Sequence, residues 1–249
     1  MHKDSRQQHI LHKLNLDRKV SLIALSQELE VSYDSIRRDV IELQERGMLK
    51  KVHGGVIANS FLPMRVRREI GIDSTEIETI AGKAQQLFQS GQTILMDGGT
   101  TNIYVSEQLP KNFEGTIITN NPRLALSLIE HSGTEVILLG GSFHKRYQIT
   151  AGTEVIERIN HLRVDLYFMG VVGISISEGL TLRDYEETMM KRQMLQKATK
   201  IVVCAGSEKL NMVANHRICE YADIDMLITN YAPDSALLQD WRGRDVEVL

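Results

Sequence analysis

The sequence predicts an α/β protein in two parts, a small helical unit at the N-terminus and a larger unit built on a mostly parallel β-sheet. Two observations carry this prediction. Three short amphipathic patterns and a glycine-tipped pair of strand-like segments occupy residues 1–58. From residue 75 onward, apolar strand-like runs alternate with helix-like segments, which is typical of a sheet with helices on both faces. The 249 residues are enough for both domains.

Composition and charge narrow the class of protein. Hydrophobic residues make up 42% of the chain and charged residues 24%, as in ordinary globular proteins. No apolar run reaches the roughly 18 residues that a membrane helix needs. The polar N-terminus is not followed by the apolar core of a signal peptide. We therefore expect a cytoplasmic protein without membrane association.

The cysteines, histidines and net charge limit the chemistry further. Cys204 and Cys219 are the only cysteines, which is too few for a disulfide framework and fits a reducing compartment. The histidines lack ligand spacing, so neither a metal site nor a cofactor is expected. The net charge is −3: residues 1–58 contribute +2 (ten Lys or Arg, eight Asp or Glu) and the rest −5 (19 against 24). This balance argues against nucleic-acid binding over the whole surface.

The first two amphipathic patterns predict short helices. One runs from about Ser5 to Leu16 and has an apolar edge. The second is capped by Ser21, and a break at residues 30–32 follows it. The inner positions of the two helices are Ile10, Leu11 and Leu14 in the first and Leu22, Leu25 and Leu29 in the second.

The third pattern predicts a helix that begins after Ser32, which caps it, and ends at Gly47. Its apolar residues Ile36, Val40 and Leu43 recur at helical spacing. Two helices joined by so short a turn make a helix-turn-helix candidate.

The polar face of the third helix is the candidate for reading DNA. At about 100° per residue, Arg38 lies nearly opposite the apolar stripe and Arg37 on its flank. Tyr33 and Ser35 fall in the first turn, where a recognition helix meets base edges and phosphates. Arginine can take guanine or phosphate bidentately. The alternative is an ordinary solvated face, on which we expect the acidic residues Asp34, Asp39, Glu42 and Glu45 to lie.

A predicted hairpin follows the third helix directly. Residues 48–52 form its first strand, His53-Gly54-Gly55 a tight turn, and residues 56–58 the return strand. A hairpin at this point is the wing of a winged helix, and its polar residues would face the DNA backbone. The predicted DNA-binding residues are Ser21, Ser32, Tyr33, Ser35, Arg37, Arg38, Lys50, Lys51 and His53.

The stretch from Arg6 to Val56 resembles the DeoR family of bacterial transcription regulators. The resemblance is carried by Ser32, two further residues and then Ser-Ile-Arg-Arg-Asp at 35–39, closed by His-Gly-Gly at 53–55. It implies a winged helix-turn-helix that binds a double-stranded DNA operator. Residues 59–74 lose periodicity, contain Pro63 and are locally basic. We interpret them as a linker that either touches phosphate or is simply solvated, between domains at 1–58 and 75–249.

The larger domain has six predicted strands and four main predicted helices. The strands are Thr93–Met96, Thr116–Thr119, Glu135–Leu139, Val164–Val172, Lys200–Ala205 and Asp225–Thr229. The helices are Thr101–Leu109, Pro122–His131, Gly152–Leu162 and Asp184–Thr199. In such sheets, ligands collect at the carboxyl ends of the strands.

Glycines and threonines follow the first of these strands, at residues 97–101 (Asp-Gly-Gly-Thr-Thr). Glycines let the backbone approach an anion, a helix N-terminus offers free N–H groups, and threonine hydroxyls add donors. This pattern predicts a phosphate cradle. The alternative is a simple glycine turn with a threonine cap.

Polar residues and glycines also follow the other strands. Glu187 and Lys191 share a helix face four residues apart, either as part of the site or as a surface ion pair. Lys209, after a later strand, is a further anion partner. The predicted ligand-binding residues are Asp97, Gly98, Gly99, Thr100, Thr101, Thr119, Asn120, Asn121, Gly140, Gly141, Gly170, Gly173, Glu187, Lys191 and Lys209.

Residues 97–230 resemble the sensor domain of the DeoR family, which is similar in fold to ribose-5-phosphate isomerase. The resemblance implies an effector that is a phosphorylated sugar or related metabolite. Three positions depart from the family pattern: Gly98 stands where a serine is usual, and Gly206 and Asn230 stand near or at usual aspartates.

Three functions compete. The favoured one is a non-enzymatic regulator, a repressor of carbohydrate-metabolism genes. It would act as a dimer or tetramer, because helix-turn-helix proteins read repeated half-sites symmetrically. The second is a sugar-phosphate isomerase with Glu187 as general base and Lys191 or Lys209 stabilising an enediolate. The third is a constitutive DNA-binding protein with a vestigial sensor.

Overall fold

The computed structural model describes residues 3–17, 19–45, 48–58, 74–242 and 244–249. The helix stop expected at Gly47 and almost all of the expected linker lie outside these residues. The chain divides into two compact units, Met1–Ser74 and Thr75–Leu249. Each is described by itself.

The described residues of the N-terminal unit form three helices and a three-stranded antiparallel sheet of order β1-β3-β2. The strand β1 was not expected, because three residues are too few to show a strand pattern. Gly55 makes its pairing possible, since a Cβ there would lie 2.5 Å from the carbonyl oxygen of Val20. The elements are α1 (Lys3–Asp17), β1 (Lys19–Ser21), α2 (Leu22–Glu28), α3 (Tyr33–Glu45), β2 (Leu49–Val52) and β3 (Gly55–Ala58).

The predicted apolar stripes and helix caps of this unit are confirmed. Ser21 Oγ accepts a hydrogen bond from the amide of Ile23 (3.2 Å), and Ser32 Oγ accepts one from the amide of Ser35 (3.3 Å). The stripes of the three helices meet in one core together with the strands of the wing. Its buried residues include Ile10, Leu11, Leu14, Leu22, Leu25, Ile36, Val40, Leu43, Leu49 and Val56.

Asp39 corrects the expected surface of α3. We expected it on the solvated face, but it is only 2% exposed. Arg6 of α1 donates to it through Nε and through Nη2, the latter 3.2 Å from Oδ1. A buried carboxylate needs such a partner, because desolvation of an unpaired charge is costly. The aspartate of the Ile-Arg-Arg-Asp sequence therefore joins two helices.

The C-terminal unit is built on a seven-stranded sheet in which every strand pair is parallel. The strand order is β15-β14-β12-β9-β4-β5-β6. Its strands are β4 (Thr93–Met96), β5 (Gly115–Thr119), β6 (Thr134–Leu138), β9 (Val164–Phe168), β12 (Ala198–Cys204), β14 (Met226–Ile228) and β15 (Glu247–Val248). Its helices are α4 (Ser74–Ala84), α5 (Thr100–Glu107), α6 (Pro122–Ser127), α7 (Thr153–Asn160) and α8 (Tyr185–Leu195).

The predicted fold class is confirmed, with corrections at the ends of elements. The strand expected to reach Val172 ends at Phe168, and the helix expected to reach Thr199 ends at Leu195. The helix expected to reach His131 ends at Ser127. Apolar residues continue the pattern beyond β9 (Met169, Val171, Val172) and beyond α6 (Leu128, Ile129), so periodicity alone overestimates the length of these two elements. Beyond α8, Ala198 and Thr199 already belong to β12.

Two small antiparallel sheets were not predicted. One is the hairpin of β7 (Ser142–His144) and β8 (Ile149–Ala151). The other has the order β10-β11-β13, from strands at Gly173–Ser175, Gly179–Leu182 and His216–Cys219. These strands have only three or four residues, which is too short to display alternation. They matter here because both sheets begin directly after segments at the carboxyl edge of the large sheet.

Both cysteines are free thiols in the C-terminal unit. Burial raises the pKa of Cys204 to about 12. Burial, with the nearby Asp223 and Glu220, also raises the pKa of Cys219 to about 12. Within the described ranges, we find no helix with the length and apolar character needed to span a bilayer.

Candidate functional site

The order of the strands places a topological switch point in the middle of the large sheet, where a crevice is expected. From β4 the chain builds β5 and β6 on one side, and later builds β9, β12, β14 and β15 on the other. The segments that leave the carboxyl ends of β4 and β9 therefore diverge. Such a switch point is where open α/β sheets bind their ligands. Asp97 follows β4 there, and Gly170 lies just beyond β9.

Asp97 is fully buried and holds the two sides of the crevice together. Its Oδ1 accepts hydrogen bonds from the amide of Gly170 (2.7 Å) and from Asn102 Nδ2 (3.1 Å). Its Oδ2 accepts one from the hydroxyl of Tyr167 and lies 2.9 Å from Lys191 Nζ. Both carboxylate oxygens are thus occupied within the protein. A ligand would have to displace one of these partners in order to contact Asp97.

Lys191 projects from α8 into the same cluster and is 1% exposed. Its Nζ lies 2.9 Å from Asp97 Oδ2, 2.5 Å from the carbonyl oxygen of Gly170 and 3.4 Å from Glu187 Oε1. An ammonium has three N–H donors, and three acceptors surround this one. Burial lowers the pKa of Lys191, but the charges and hydrogen bonds of Asp97 and Glu187 outweigh it. The pKa is therefore raised, and the ammonium stays charged.

Glu187 is the carboxylate of the cluster that reaches furthest toward solvent, with 11% of its side chain exposed. Burial raises the pKa of Glu187, while the charge of Lys191 opposes that rise. Burial also raises the pKa of Asp97 against the charge of Lys191. One cation thus faces two carboxylates, and the three groups titrate as a coupled set. The predicted Glu187–Lys191 pair is part of a buried cluster, which overturns the alternative of a surface ion pair.

The predicted cradle lies beside this cluster. Gly99 precedes the first turn of α5 and has no side chain with which to cap the amides of Thr101 and Asn102. Lys209, in the short turn Ser207–Lys209 after β12, places Nζ 3.4 Å from Thr101 Oγ1. Helix amides, threonine hydroxyls and an ammonium thus occur together, which is the donor set that an anion requires.

The glycines of this edge divide into two groups. A Cβ on Gly170 would lie 2.4 Å from the carbonyl oxygen of Gly98, and one on Gly141 would lie 2.7 Å from the carbonyl oxygen of Ala151. These contacts are with backbone, so the two glycines permit close packing. Around Gly140, by contrast, a Cβ would meet nothing within 4 Å.

Gly98 and Gly173 are also explained by close contacts. A Cβ on Gly98 would lie 2.4 Å from Ile149 Cγ2 in β8, so the serine usual in the family would require the Ile149 side chain to shift. Gly173 begins β10, where a Cβ would lie 2.2 Å from the carbonyl oxygen of Met212. Packing within the second sheet accounts for this glycine.

The residues after β5 hold the hairpin and the next helix. Asn121 Oδ1 accepts hydrogen bonds from the first amides of α6, and Thr119 Oγ1 accepts one from the amide of Asn121. Asn120 is fully buried and donates through Nδ2 to the carbonyl oxygen of Thr150 (3.0 Å). Thr119 and Asn121 thus shape the turn, whereas Asn120 lies against β8.

Sequence reasoning missed several residues that support the site. Asn102 Nδ2 joins Asp97 to the carbonyl oxygen of Phe168 (2.9 Å), and Tyr167 donates to Asp97 from within β9. Asn230 Oδ1 accepts a hydrogen bond from the amide of Ser207 (2.9 Å), which fixes the turn that carries Lys209. A polar residue directly after Thr101 was the only available signal for Asn102. No pattern distinguishes Tyr167 from a core tyrosine.

In the N-terminal unit, the predicted DNA-contacting side chains lie on the surface. Arg37 and Arg38 of α3 are exposed, and Arg38 Nε lies 3.3 Å from the carbonyl oxygen of Asp34. Tyr33 is 46% exposed. Lys50, Lys51 and His53 of the wing are exposed, Ser35 is half-buried, and the capping residues Ser21 and Ser32 are exposed.

Comparison with known proteins accounts for both units. The model of the DeoR-like helix-turn-helix domain matches residues 6–61, and that of the DeoR C-terminal sensor domain matches residues 73–231. The transcriptional repressor GlcR of Bacillus subtilis is 31% identical over 100% of this chain and 96% of that protein. The transcriptional regulator GlpR of Haloferax volcanii is 32% identical over 92% of this chain and 90% of that protein.

Among solved structures, ribose 5-phosphate isomerase A from Methanocaldococcus jannaschii is 16% identical, with a TM-score of 0.38 over 54% of this chain and 53% of that one. The two family matches together span most of the chain, and they fall on the winged helix and on the parallel-sheet unit described above. The protein therefore belongs to the DeoR family of transcription regulators.

Proposed function

We propose that the protein is a repressor of carbohydrate-metabolism genes whose affinity for its operator is controlled by a phosphorylated sugar. The observation that carries the effector is the cradle at the switch point. There the first turn of α5, the Thr101 hydroxyl and Lys209 Nζ form a donor set beside a buried cluster of carboxylates. Lys209, rather than Lys191, is the cation for the phosphate, because Asp97, Glu187 and Gly170 occupy the donors of Lys191.

The operator is bound through α3 and the wing. Arg37 and Arg38 are the proposed base-reading residues, while Lys50, Lys51 and His53 contact the DNA backbone. Their exposure on one element and the hairpin after it supports this assignment. Arg38→Ala is expected to lower operator affinity by about 1–3 kcal/mol. If Arg38→Ala left both the operator affinity and its dependence on salt concentration unchanged, the assignment of α3 as the recognition helix would be wrong.

A regulator without enzymatic activity fits the cluster better than an isomerase does. In the isomerase hypothesis, Lys191 or Lys209 stabilises an enediolate. Here the ammonium of Lys191 is held by two carboxylates and a carbonyl oxygen, and Lys209 is assigned to the phosphate. Turnover of any pentose or hexose phosphate well above the uncatalysed rate would overturn the proposal. The proposal also includes a homo-oligomer in the cytoplasm, because a winged helix reads repeated half-sites as a symmetric assembly.

The first experiment is a thermal-shift panel of sugar phosphates and their unphosphorylated parents. Ligands that bind only the folded state raise the melting temperature. We expect stabilisation by a phosphorylated sugar and not by its parent. Lys209→Met should abolish the shift, as should the double variant Thr100→Ala, Thr101→Ala. The matched control is Lys200→Met, which alters a lysine 37% exposed near the start of β12.

The same ligands are then added to the protein bound to its operator fragment. A ligand that stabilises the fold should also change operator affinity. No shift from any sugar phosphate would refute the effector. A shift without any change in DNA affinity would favour the constitutive DNA-binding protein.

A further inference from the structure

Asn120 carries a buried acceptor that the described residues leave unpartnered. The residue is fully buried, directly after β5, and its Oδ1 has no hydrogen-bond partner within the described part of the chain. An unsatisfied buried polar atom destabilises the folded state, so native proteins rarely retain one without a reason.

The orientation of the Asn120 amide is determined by its neighbour. Nδ2 donates to the carbonyl oxygen of Thr150 (3.0 Å), and the amide and hydroxyl of Thr150 both donate to the carbonyl oxygen of Asn120. Rotating the amide by 180° would place Oδ1 against the carbonyl oxygen of Thr150, which are two acceptors. The unpartnered atom is therefore the oxygen and requires a donor.

The position of Asn120 in the sheet indicates which group could donate a hydrogen bond to its Oδ1. Along the carboxyl edge, β12, β9, β4 and β5 are consecutive neighbours. Lys209 follows β12, but its Nζ reaches Thr101 after β4 (3.4 Å), and Asn120 follows β5, which pairs with β4 on the other side. Asn120 Nδ2 also lies 3.7 Å from Met190 Sδ on α8, the helix that carries Glu187. Lys209 makes one side of the crevice cationic. The other side offers the amide oxygen of Asn120 and the carboxylate of Glu187.

We propose that Asn120 Oδ1 accepts a hydrogen bond from a hydroxyl group at the end of the effector remote from its phosphate. This assignment rests on the proposed effector site and adds the orientation of the ligand. The phosphate lies at Thr101 and Lys209, and the hydroxyl-bearing end lies at Asn120 and Glu187. A carboxylate at that end would meet two acceptors, so Asn120 selects neutral polyol or sugar phosphates over phosphorylated sugar acids.

The variant test compares Asn120→Leu with wild type by isothermal titration. The probes are inorganic phosphate and the sugar phosphates glucose 6-phosphate, fructose 6-phosphate, ribose 5-phosphate and glycerol 3-phosphate. We expect Asn120→Leu to weaken the best-bound sugar phosphate about tenfold or more, and inorganic phosphate less than about twofold. Thr150→Val is the matched control, because it removes a hydrogen bond to the Asn120 carbonyl and leaves Oδ1 in place.

A second test needs only the wild-type protein and holds even if Asn120→Leu does not fold. It pairs glucose 6-phosphate with 6-phosphogluconate, and glycerol 3-phosphate with 3-phosphoglycerate. Within the pair that contains the better ligand, we expect the acid to bind at least about tenfold more weakly. Equal or tighter binding of the acid would overturn the assignment, as would an equal loss of phosphate and sugar phosphate in Asn120→Leu. If wild type binds neither phosphate nor any sugar phosphate, the proposed effector fails first and this assignment with it.

Discussion

The polar residues of α3 and those at the β4–β9 edge are organised in opposite ways. On α3, Arg37 and Arg38 are exposed, as their proposed contacts with DNA require. At the sheet edge, Asp97 and Lys191 are almost completely buried and bonded to one another. The comparison separates residues that meet a ligand from residues that hold the ligand's surroundings in place. Mutations of the exposed residues should change ligand binding, and mutations of the buried residues should change the stability of the fold.

Lys191→Met is expected to have the largest effect, because it leaves Asp97 and Glu187 buried without a cation. Removing one partner of a buried ion pair costs about 3–5 kcal/mol of unfolding free energy. Urea denaturation at neutral pH measures it, with Lys200→Met as the exposed control. A variant as stable as wild type would mean that the cluster is not structural.

The loss of stability in Lys191→Met should also depend on pH. Burial raises the pKa values of Asp97 and Glu187, and without Lys191 that rise is less opposed. A carboxyl whose pKa is raised in the folded state binds more protons than in the unfolded chain, so stability is lost as pH rises above about 4. The deficit of Lys191→Met should therefore be smaller at pH 5 than at pH 8. The opposite trend would contradict the raised values.

Arg6→Leu tests the one buried ion pair described for the DNA-binding unit. Asp39 would lose its partner while 2% exposed, so we expect a loss of about 3 kcal/mol. Replacing both residues by leucine should recover part of this loss. Lys3→Leu is the control, since it breaks an exposed pair with Glu42 and should cost less than about 1 kcal/mol. If Arg6→Leu and Lys3→Leu lost the same unfolding free energy, the Arg6–Asp39 pair would behave as a surface ion pair.

Two glycine variants sharpen the comparison within the sheet edge. Gly170→Ala places a Cβ 2.4 Å from the carbonyl oxygen of Gly98 and should cost about 1–3 kcal/mol. Gly140→Ala meets open space, and we expect a change of less than about 1 kcal/mol. Melting temperatures of both variants decide the point. A costly Gly140→Ala would show that this glycine is needed for a reason other than packing.

Lys50→Ala should have the smallest effect. Loss of one phosphate contact weakens DNA binding about equally for all sequences and reduces the slope of log affinity against log salt by about one. Folding stability should not change, because Lys50 is exposed in β2. Binding titrations at several salt concentrations measure the slope, with Lys111→Ala in the sensor unit as control. An unchanged slope would remove the wing from the interface.

Sequence reasoning reached the α3 surface and the cradle for different reasons. Helical periodicity fixes which side of α3 faces outward, so the exposure of Arg38 follows from spacing alone. The cradle follows from glycine and threonine at a strand end. Asp39 was misplaced because its partner Arg6 is 33 residues away. The link from Tyr167 to Asp97 spans 70 residues, and no local pattern contains such a distance.

The short strands outside the large sheet show the same limit of local sequence patterns. The strands β7, β8 and β10 have three residues each, so their pairing is decided by what they pack against. Ile149 is positioned by the absence of a side chain at Gly98, and Thr150 by Asn120. Local propensity predicts helices and strands, whereas the contacts that orient a side chain involve residues that are distant in the sequence.

The two cysteines have a consequence for the kinds of signal that the regulator can answer. Burial raises the pKa values of Cys204 and Cys219 to about 12, so both thiols stay protonated at neutral pH. Peroxide and electrophiles attack thiolates, so both side chains should resist oxidation and alkylation in the folded protein. A cell under oxidative stress would therefore leave the state of this regulator unchanged through its cysteines.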